Sequence, residues 1–447
     1  MKHSVFIIEI AAPLIGLLCL LTACQPTPEK EAVVGPDDAK LQKILEAAPL
    51  APYQYDAPAE VHDEIVLNTS TFYIDAEIEV TDATLHPVYR VERRGFVQEE
   101  AARIYDYFVP DATGIRDASQ PSREELLEDI FILEQGIPTR QEDGSVTYVP
   151  NEHAQEAIAE LNKQLESAPS EHFSQVSGTI EYTLPCAVSL LRADGSKAYC
   201  VAQEDMISVY TNDYGLIQMQ SWILNQGGWE GEGPVTLAPS ITQEQAQTKA
   251  DQILADLGFE NMSVAWAEKA RMLDGFLGYN TLSTGWFITY VRSEGGNIPF
   301  DSNSVSSILM RFEDDSALYA PSWPQETVSL LVDETGARYF RWCCSCGEPE
   351  LVNANVALLP FDQVYERMVQ LVRQGFAWTD APGTKNDDFI IYRILLTNCL
   401  VREKDRADSA VWMPTWIFVY QFASSNDTMP GYIAINALDG SRIHLIN

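Results

Sequence analysis

The sequence predicts an α+β protein built from repeated helix-on-antiparallel-sheet modules, with helices covering one face of each sheet. Three observations carry this. Helical apolar stripes alternate with runs of several strands, and the strands in a run lie too close together for parallel crossovers. Asp-Gly and Asp-x-x-Gly turns sit inside those runs, where tight hairpins require positive φ. Hydrophobic residues make up 46% of the 447 and aromatic residues 10%, enough to fill several cores.

In chain order, Leu41, Ile44, Leu45 and Ala48 have helical spacing within a proline-rich stretch. The folded body is expected to begin near Glu64, with strands over Ile65–Val80 and Pro87–Arg93, both rich in β-branched and aromatic residues. Phe96–Val109 reads as a helix. Ser122 with Glu125 forms a capping box that opens a second helix reaching Gln135. Asn151 is expected to cap a third, with Ile158, Leu161 and Leu165 on one face and Pro169 beyond its end. Strands follow from Gly178 to Leu224. The glycine-rich run from Gly227 to Pro234 reads as a linker or exposed loop. Thr242 and Gln245 then cap a helix whose Ala246, Ala250, Ile253, Leu254 and Leu257 form an apolar stripe, stopped by Gly258. After strands to Trp342, Phe361–Gln374 reads as a helix burying Phe361, Val364, Met368, Leu371 and Val372, and strands run from Phe389 to the C-terminus.

Lys and Arg number 29 against 65 Asp and Glu, for a net charge of −36. Nucleic acid is therefore excluded as a partner, because its affinity rests on neutralising phosphates with cations. The same charge disfavours lying flat on an anionic membrane.

Residues 1–23 read as a signal peptide: Lys2 and His3 precede the apolar run Ile10–Leu21, which is too short to span a bilayer. Leu21-Thr22-Ala23-Cys24 resembles the lipobox of bacterial lipoproteins. That resemblance implies lipidation of Cys24, attachment to the cell membrane through that lipid, and an extracytoplasmic location. Residues 24–60, with six prolines among acids and alanines, read as a tether. Beyond it three units are expected: an N-terminal α+β domain over 61–226 and two modules over 236–346 and 350–447.

One hairpin plan recurs. Leu331-Val332-Asp333-Glu334-Thr335-Gly336-Ala337-Arg338 and Ile435-Asn436-Ala437-Leu438-Asp439-Gly440-Ser441-Arg442 each place an acidic turn, a Gly and an Arg between strands. Leu190-Leu191-Arg192-Ala193-Asp194-Gly195-Ser196-Lys197 is a looser third copy. Helix-then-strands units ending in such hairpins resemble PepSY-type modules over 236–447. The run Asp75-Ala76-Glu77-Ile78-Glu79-Val80, continuing into Pro87-Val88-Tyr89-Arg90-Val91 and Phe96-Val97-Gln98-Glu99-Glu100, resembles uncharacterised lipoproteins of clostridial-type bacteria. The PepSY resemblance implies binding and restraint of partner proteins at the cell surface.

Signatures of catalysis are missing. Neither Gly-x-Ser-x-Gly nor Ser-x-x-Lys occurs, and no two histidines stand four apart. No glycine-rich phosphate loop precedes a Lys, so nucleotide binding is not expected, and no other motif calls for a cofactor or resident metal. Cys343 and Cys346 have Cys-x-x-Cys spacing, but they follow an apparent strand and lack a second ligand pair. Disulfides among Cys186, Cys200, Cys343, Cys344, Cys346 and Cys399 are expected instead, with Cys186–Cys200 and a Cys399 partner in the 343–346 run as the candidates. Acid runs such as Glu313-Asp314-Asp315 read as solvated faces.

Trp222 and Trp229 flank the glycine-rich run and form a candidate stacking platform for a sugar. The expected function is that of a non-catalytic envelope lipoprotein that binds a protein with a basic surface or senses a surface condition. Solute or glycan binding is the alternative, and a hydrolase without recognisable motifs is a third.

Overall fold

A computed structural model describes residues 37–445 except 68, 81–82, 141–145, 150–153, 177–179, 181, 212–214, 221–235, 275–280, 295–297, 301–316, 377–387, 404–405 and 424–429. The described helices are α1 (Asp38–Glu46), α2 (Gln98–Phe108), α3 (Arg123–Gln135), α4 (Ala154–Leu165), α5 (Gln243–Asp256) and α6 (Phe361–Gly375). Strands β1 (Glu60–Val66), β2 (Thr71–Glu79) and β3 (Val88–Glu92) precede α2, and β4 (Ala112–Asp117) follows it. Next come β5 (Ile137–Arg140), β6 (Val146–Val149), β7 (Ser174–Gln175), β8 (Cys186–Arg192), β9 (Lys197–Ala202), β10 (Met206–Tyr210) and β11 (Gly215–Met219). Between α5 and α6 lie β12 (Met262–Asp274), β13 (Thr281–Arg292), β14 (Leu318–Tyr319), β15 (Thr327–Val332), β16 (Ala337–Cys343) and β17 (Glu350–Asn353). The chain closes with β18 (Phe389–Arg402), β19 (Ser409–Phe422), β20 (Gly431–Asn436) and β21 (Arg442–His444).

Helix boundaries follow local chemistry. The Ser122 hydroxyl accepts from the Glu125 amide at 3.2 Å while the Glu125 carboxylate accepts from the Ser122 amide at 2.6 Å. Thr242 and Gln245 exchange the same pair at 3.3 and 2.9 Å. Gly258 adopts φ +72° just past α5, a conformation that a Cβ disfavours. The strand expected over Ile65–Val80 is two strands, because Leu67 donates to the Ser70 carbonyl and turns the chain between β1 and β2.

The protein is α+β. Ten strands form an antiparallel sheet in the order β11-β12-β13-β15-β16-β10-β9-β8-β4-β7. Helices α2 and α5 cover one face of it, burying Ile104, Tyr105, Ala246, Ala250 and Leu254 against Leu190, Val209, Ile288, Leu330 and Phe340. A nine-stranded sheet runs β1-β2-β18-β19-β20-β21-β14, with β3 also pairing β19 and carrying β17. There α6 packs Val364, Met368 and Val372 on one face, and Leu41 of α1 lies in the cluster on the other. The β2–β18 and β14–β21 pairs are parallel.

Strand pairing cuts across the units expected from sequence. β1, β2 and β3 join the C-terminal strands, whereas β4 and β7–β11 join β12, β13, β15 and β16. Residues 61–226 therefore contribute to both large sheets, and β5 with β6 forms a two-stranded sheet of its own. Residues 37–59, expected to be tether, lie on the body: Asn353 donates to the Leu45 and Ala47 carbonyls, and Asn355 to those of Leu50 and Ala51. The signal peptide and Cys24 lie outside the described residues. Among the described residues, no helix is long and apolar enough to cross a membrane.

Candidate functional site

The three recurring hairpins share one device. Asp194 Oδ1 accepts from the Ser196 amide and hydroxyl at 2.9 and 2.6 Å. Asp439 Oδ1 accepts from the Ser441 amide and hydroxyl at the same distances, 2.9 and 2.6 Å. Asp333 Oδ1 accepts from the Thr335 amide and hydroxyl at 2.8 and 2.7 Å and from the Gly336 amide at 3.2 Å. These are Asx turns, in which a carboxylate replaces a backbone acceptor. Gly195, Gly336 and Gly440 all take positive φ, at +87°, +138° and +79°.

The third hairpin joins β20 to β21 and is buried, with Asp439, Ser441 and Arg442 all inside. The first two, between β8 and β9 and between β15 and β16, converge on a cleft of 710 Å³. Tyr107 and Phe108 at the end of α2, Thr248, Lys249 and Gln252 of α5, and Thr211 complete its wall. The volume falls in the range of small-molecule sites.

Each cation of the cleft is held by a short list of partners. Arg192 reaches the Asp111 carboxylate at 3.3 Å and the Phe108 carbonyl at 2.9 Å, while its buried Nε has no hydrogen-bond partner among the described residues. Arg338 Nε donates to Asp333 Oδ2 at 2.6 Å. Lys249 Nζ donates to the Glu334 carbonyl at 3.2 Å, one bond for a group with three donors. Thr211 fastens the wall by donating from its amide and hydroxyl to the Arg338 carbonyl, at 3.0 and 3.3 Å. Burial of Tyr107, reinforced by its hydrogen bond to Asp256, pushes its phenol up to about 12.

The lining holds three cations (Arg192, Lys249 and Arg338) and one carboxylate, Asp194. Over the whole chain acids outnumber cations 65 to 29, so the lining reverses the balance of the molecule, with Asp111 and Asp333 pairing Arg192 and Arg338 from behind it and Lys249 bonded to a carbonyl. An anionic group entering the cleft meets cations and hydroxyls inside a protein that otherwise repels it.

Among the residues singled out from sequence, Trp222 and Trp229 lie outside the described residues, as do Glu313-Asp314-Asp315 and Cys24. The six expected disulfide cysteines are unbridged thiols. Cys186 stands opposite Ala202 and Cys200 opposite Val188, an offset of two residues on the helix-covered face. Cys399 packs with Val411 and Met413 on one face of the nine-stranded sheet, whereas Cys346 packs with Leu400 and Trp412 on the other. The sheet itself therefore separates Cys399 from Cys346, one of its three expected partners. Cys343 accepts from Arg341 Nε at 2.8 Å, and Cys344 holds φ +55° in the turn that follows. Burial raises all six thiols, Cys344 and Cys399 to about 12, so they are protonated and weakly nucleophilic at neutral pH.

Among the described residues, no group of three or more His, Cys, Asp or Glu side chains is placed to hold a metal ion. In the sequence Arg192 and Arg338 stand out only as parts of a repeat, and Lys249 carries no mark that sets it apart. The available signal was the basic residue that follows or precedes each Asx turn.

No protein-family model and no curated protein matches this chain. Among solved structures, an uncharacterised protein from Eubacterium rectale is similar at 12% identity over 92% of this chain and 99% of its own, with a TM-score of 0.42. That likeness is too slight to bear on function.

Proposed function

We propose that the chain is a non-catalytic, lipid-anchored extracytoplasmic binding protein whose cleft receives an anionic group of a partner or solute. The reversed charge of the cleft is the observation that carries this reading. Guanidinium, ammonium and hydroxyl groups make reversible contacts with carboxylates or phosphates. The lining has neither His nor Cys to act as base or nucleophile. The module reading is supported by a shared order: α5 leads into β12, β13, β15 and β16 of one sheet, and α6 into β18–β21 of the other, each run ending in an Asx-turn hairpin. That order supports a PepSY-like plan for 236–346 and 350–447 and, by analogy, a partner-restraining role.

Two arms test the proposal in cells. Cys24→Ala should move the protein from the membrane to the soluble fraction, and unchanged retention refutes the lipid anchor. A photo-crosslinking residue at Thr248 should trap one specific adduct that weakens in a Lys249→Glu background. An adduct indifferent to Lys249 refutes the role of the cleft.

A further inference from the structure

The outer edge of β1 offers a second, chemically opposite surface. Strand β1 ends the order of the nine-stranded sheet and, among the described residues, pairs with β2 alone. Its register with β2 sets Glu60 against Glu77 and Ile65 against Phe72. Ile78 donates to the Ala59 carbonyl and Leu67 to the Ser70 carbonyl, both at 2.9 Å, so the odd-numbered residues turn their backbone groups toward β2. The N–H and C=O groups of Glu60, His62, Glu64 and Val66 consequently face outward. The Glu64 amide agrees, since its bond goes to the neighbouring Asp63 carboxylate at 2.8 Å and not to β2.

The side chains around this edge select its occupant. Ile65, Phe72, Ile74 and Ala76 point into the α6 core, so the even residues of β1 and the odd residues of β2 from Thr71 to Glu77 share the opposite face. Val66, Tyr73 and, on β18, Tyr392 are 64%, 43% and 38% exposed. Around them stand Glu60, Glu64, Asp75 and Glu77, while Asp63 lies on the α6 face, where its carboxylate accepts from the Tyr365 hydroxyl at 2.8 Å. Glu60 sits directly opposite Glu77, an arrangement of like charges that costs a sheet stability. His62 bridges Asp75 at 2.8 Å and Glu60 at 3.5 Å, and Arg393 is engaged by Glu79 at 2.5 Å.

We propose that this edge receives an extended, lysine- or arginine-bearing segment of an envelope partner as an added strand. Backbone groups of the four outward residues supply the ladder, the Glu64 amide exchanging its Asp63 carboxylate for the added strand, the carboxylates of the face pair with the cations, and Val66 with Tyr73 seats an apolar side chain between them. A second copy of this chain is the wrong occupant, because antiparallel pairing of β1 with β1 sets Asp63 against Asp63 and brings together two bodies that each carry a net charge of −36. The inference deepens the partner-binding reading but uses a surface separate from the cleft, so either can fail alone.

The test uses residues 37–447 and two blocked heptapeptides of alternating sequence, Lys-Val and Glu-Val, followed by fluorescence anisotropy. The Lys-Val peptide should bind, weaken with rising salt, and slow amide exchange at His62 and Val66. The Glu-Val peptide should not bind. Glu64→Pro removes one outward N–H while sparing the ladder to β2, so it should weaken the Lys-Val peptide about tenfold at unchanged urea midpoint. Glu60→Gln with Glu64→Gln should reduce the salt dependence without altering the fold, and it serves if the proline variant is destabilised. Lys249→Glu should leave peptide binding unchanged. Absence of Lys-Val binding, binding indifferent to both edge variants, or protection elsewhere than β1 overturns the proposal.

Discussion

Replacing Asp333 by Ala removes the acceptor at the centre of the cleft-forming hairpin. Its two oxygens take five hydrogen bonds: from the Thr335 amide and hydroxyl, the Gly336 amide, Ser283 Oγ at 2.7 Å and Arg338 Nε at 2.6 Å. The carboxylate is almost wholly buried, and Arg338 is mostly so. Loss of one partner from a buried pair costs about 3–5 kcal/mol, because the remaining charge and hydroxyl lose the acceptor that offsets their desolvation. Asp333→Asn keeps an oxygen for the turn but offers an amide to Arg338, and should cost about 1–3 kcal/mol. Asp194→Ala, at an exposed turn of the same design, should leave the midpoint nearly unchanged.

The effect should depend on pH in a defined direction. Burial raises the Asp333 carboxyl, but the hydrogen bonds from Arg338, Thr335 and Ser283 outweigh it and hold the group below the usual carboxylate range. Its folded value lies below its unfolded one, so the stabilisation is complete above about pH 4 and is lost as pH falls through the folded value. Urea unfolding followed by tryptophan fluorescence at pH 7 and at pH 3 measures both quantities. A loss under about 1 kcal/mol at pH 7, or a wild-type-to-variant difference that does not shrink in acid, refutes the reasoning.

Two further outcomes follow from packing. Gly285→Ala should lower the urea midpoint by the equivalent of about 1–3 kcal/mol, since a methyl group there overlaps the Val332 carbonyl where β13 crosses β15; a neutral result contradicts that approach. A thiol reagent should label native protein slowly, Cys186 first because it is the least buried of the six, and all six should titrate after denaturation without reductant. Fewer than six contradicts the unbridged state.

Local chemistry made the helices legible. The Ser122–Glu125 and Thr242–Gln245 boxes both form, and the apolar stripes of α5 and α6 are buried as their spacing requires. Strand partners were not legible, because alternation reports which face of a strand is apolar and is silent about its neighbour. The parallel register of Phe72 with Phe389 joins residues more than 300 positions apart, and nothing local marks it. Tether residues misled for a related reason: Pro49 and Pro52 forbid regular structure, yet their neighbours' carbonyls are satisfied by Asn353 and Asn355. The cleft was half legible. Its hairpins recur visibly, but Lys249 looks like any solvent-facing cation until α5 is laid beside the second hairpin.

Calorimetric titration of residues 37–447 with small polyanions, citrate and inorganic pyrophosphate, tests the central claim most directly. Binding of at least one should be measurable at low salt, weaken about tenfold in Lys249→Ala, and weaken further as salt rises. The Asp194→Ala variant, which removes the one carboxylate of the lining, should bind at least as tightly as the wild type. No heat with either anion, or binding unchanged by Lys249→Ala, contradicts the assignment of the cleft as an anion-receiving site.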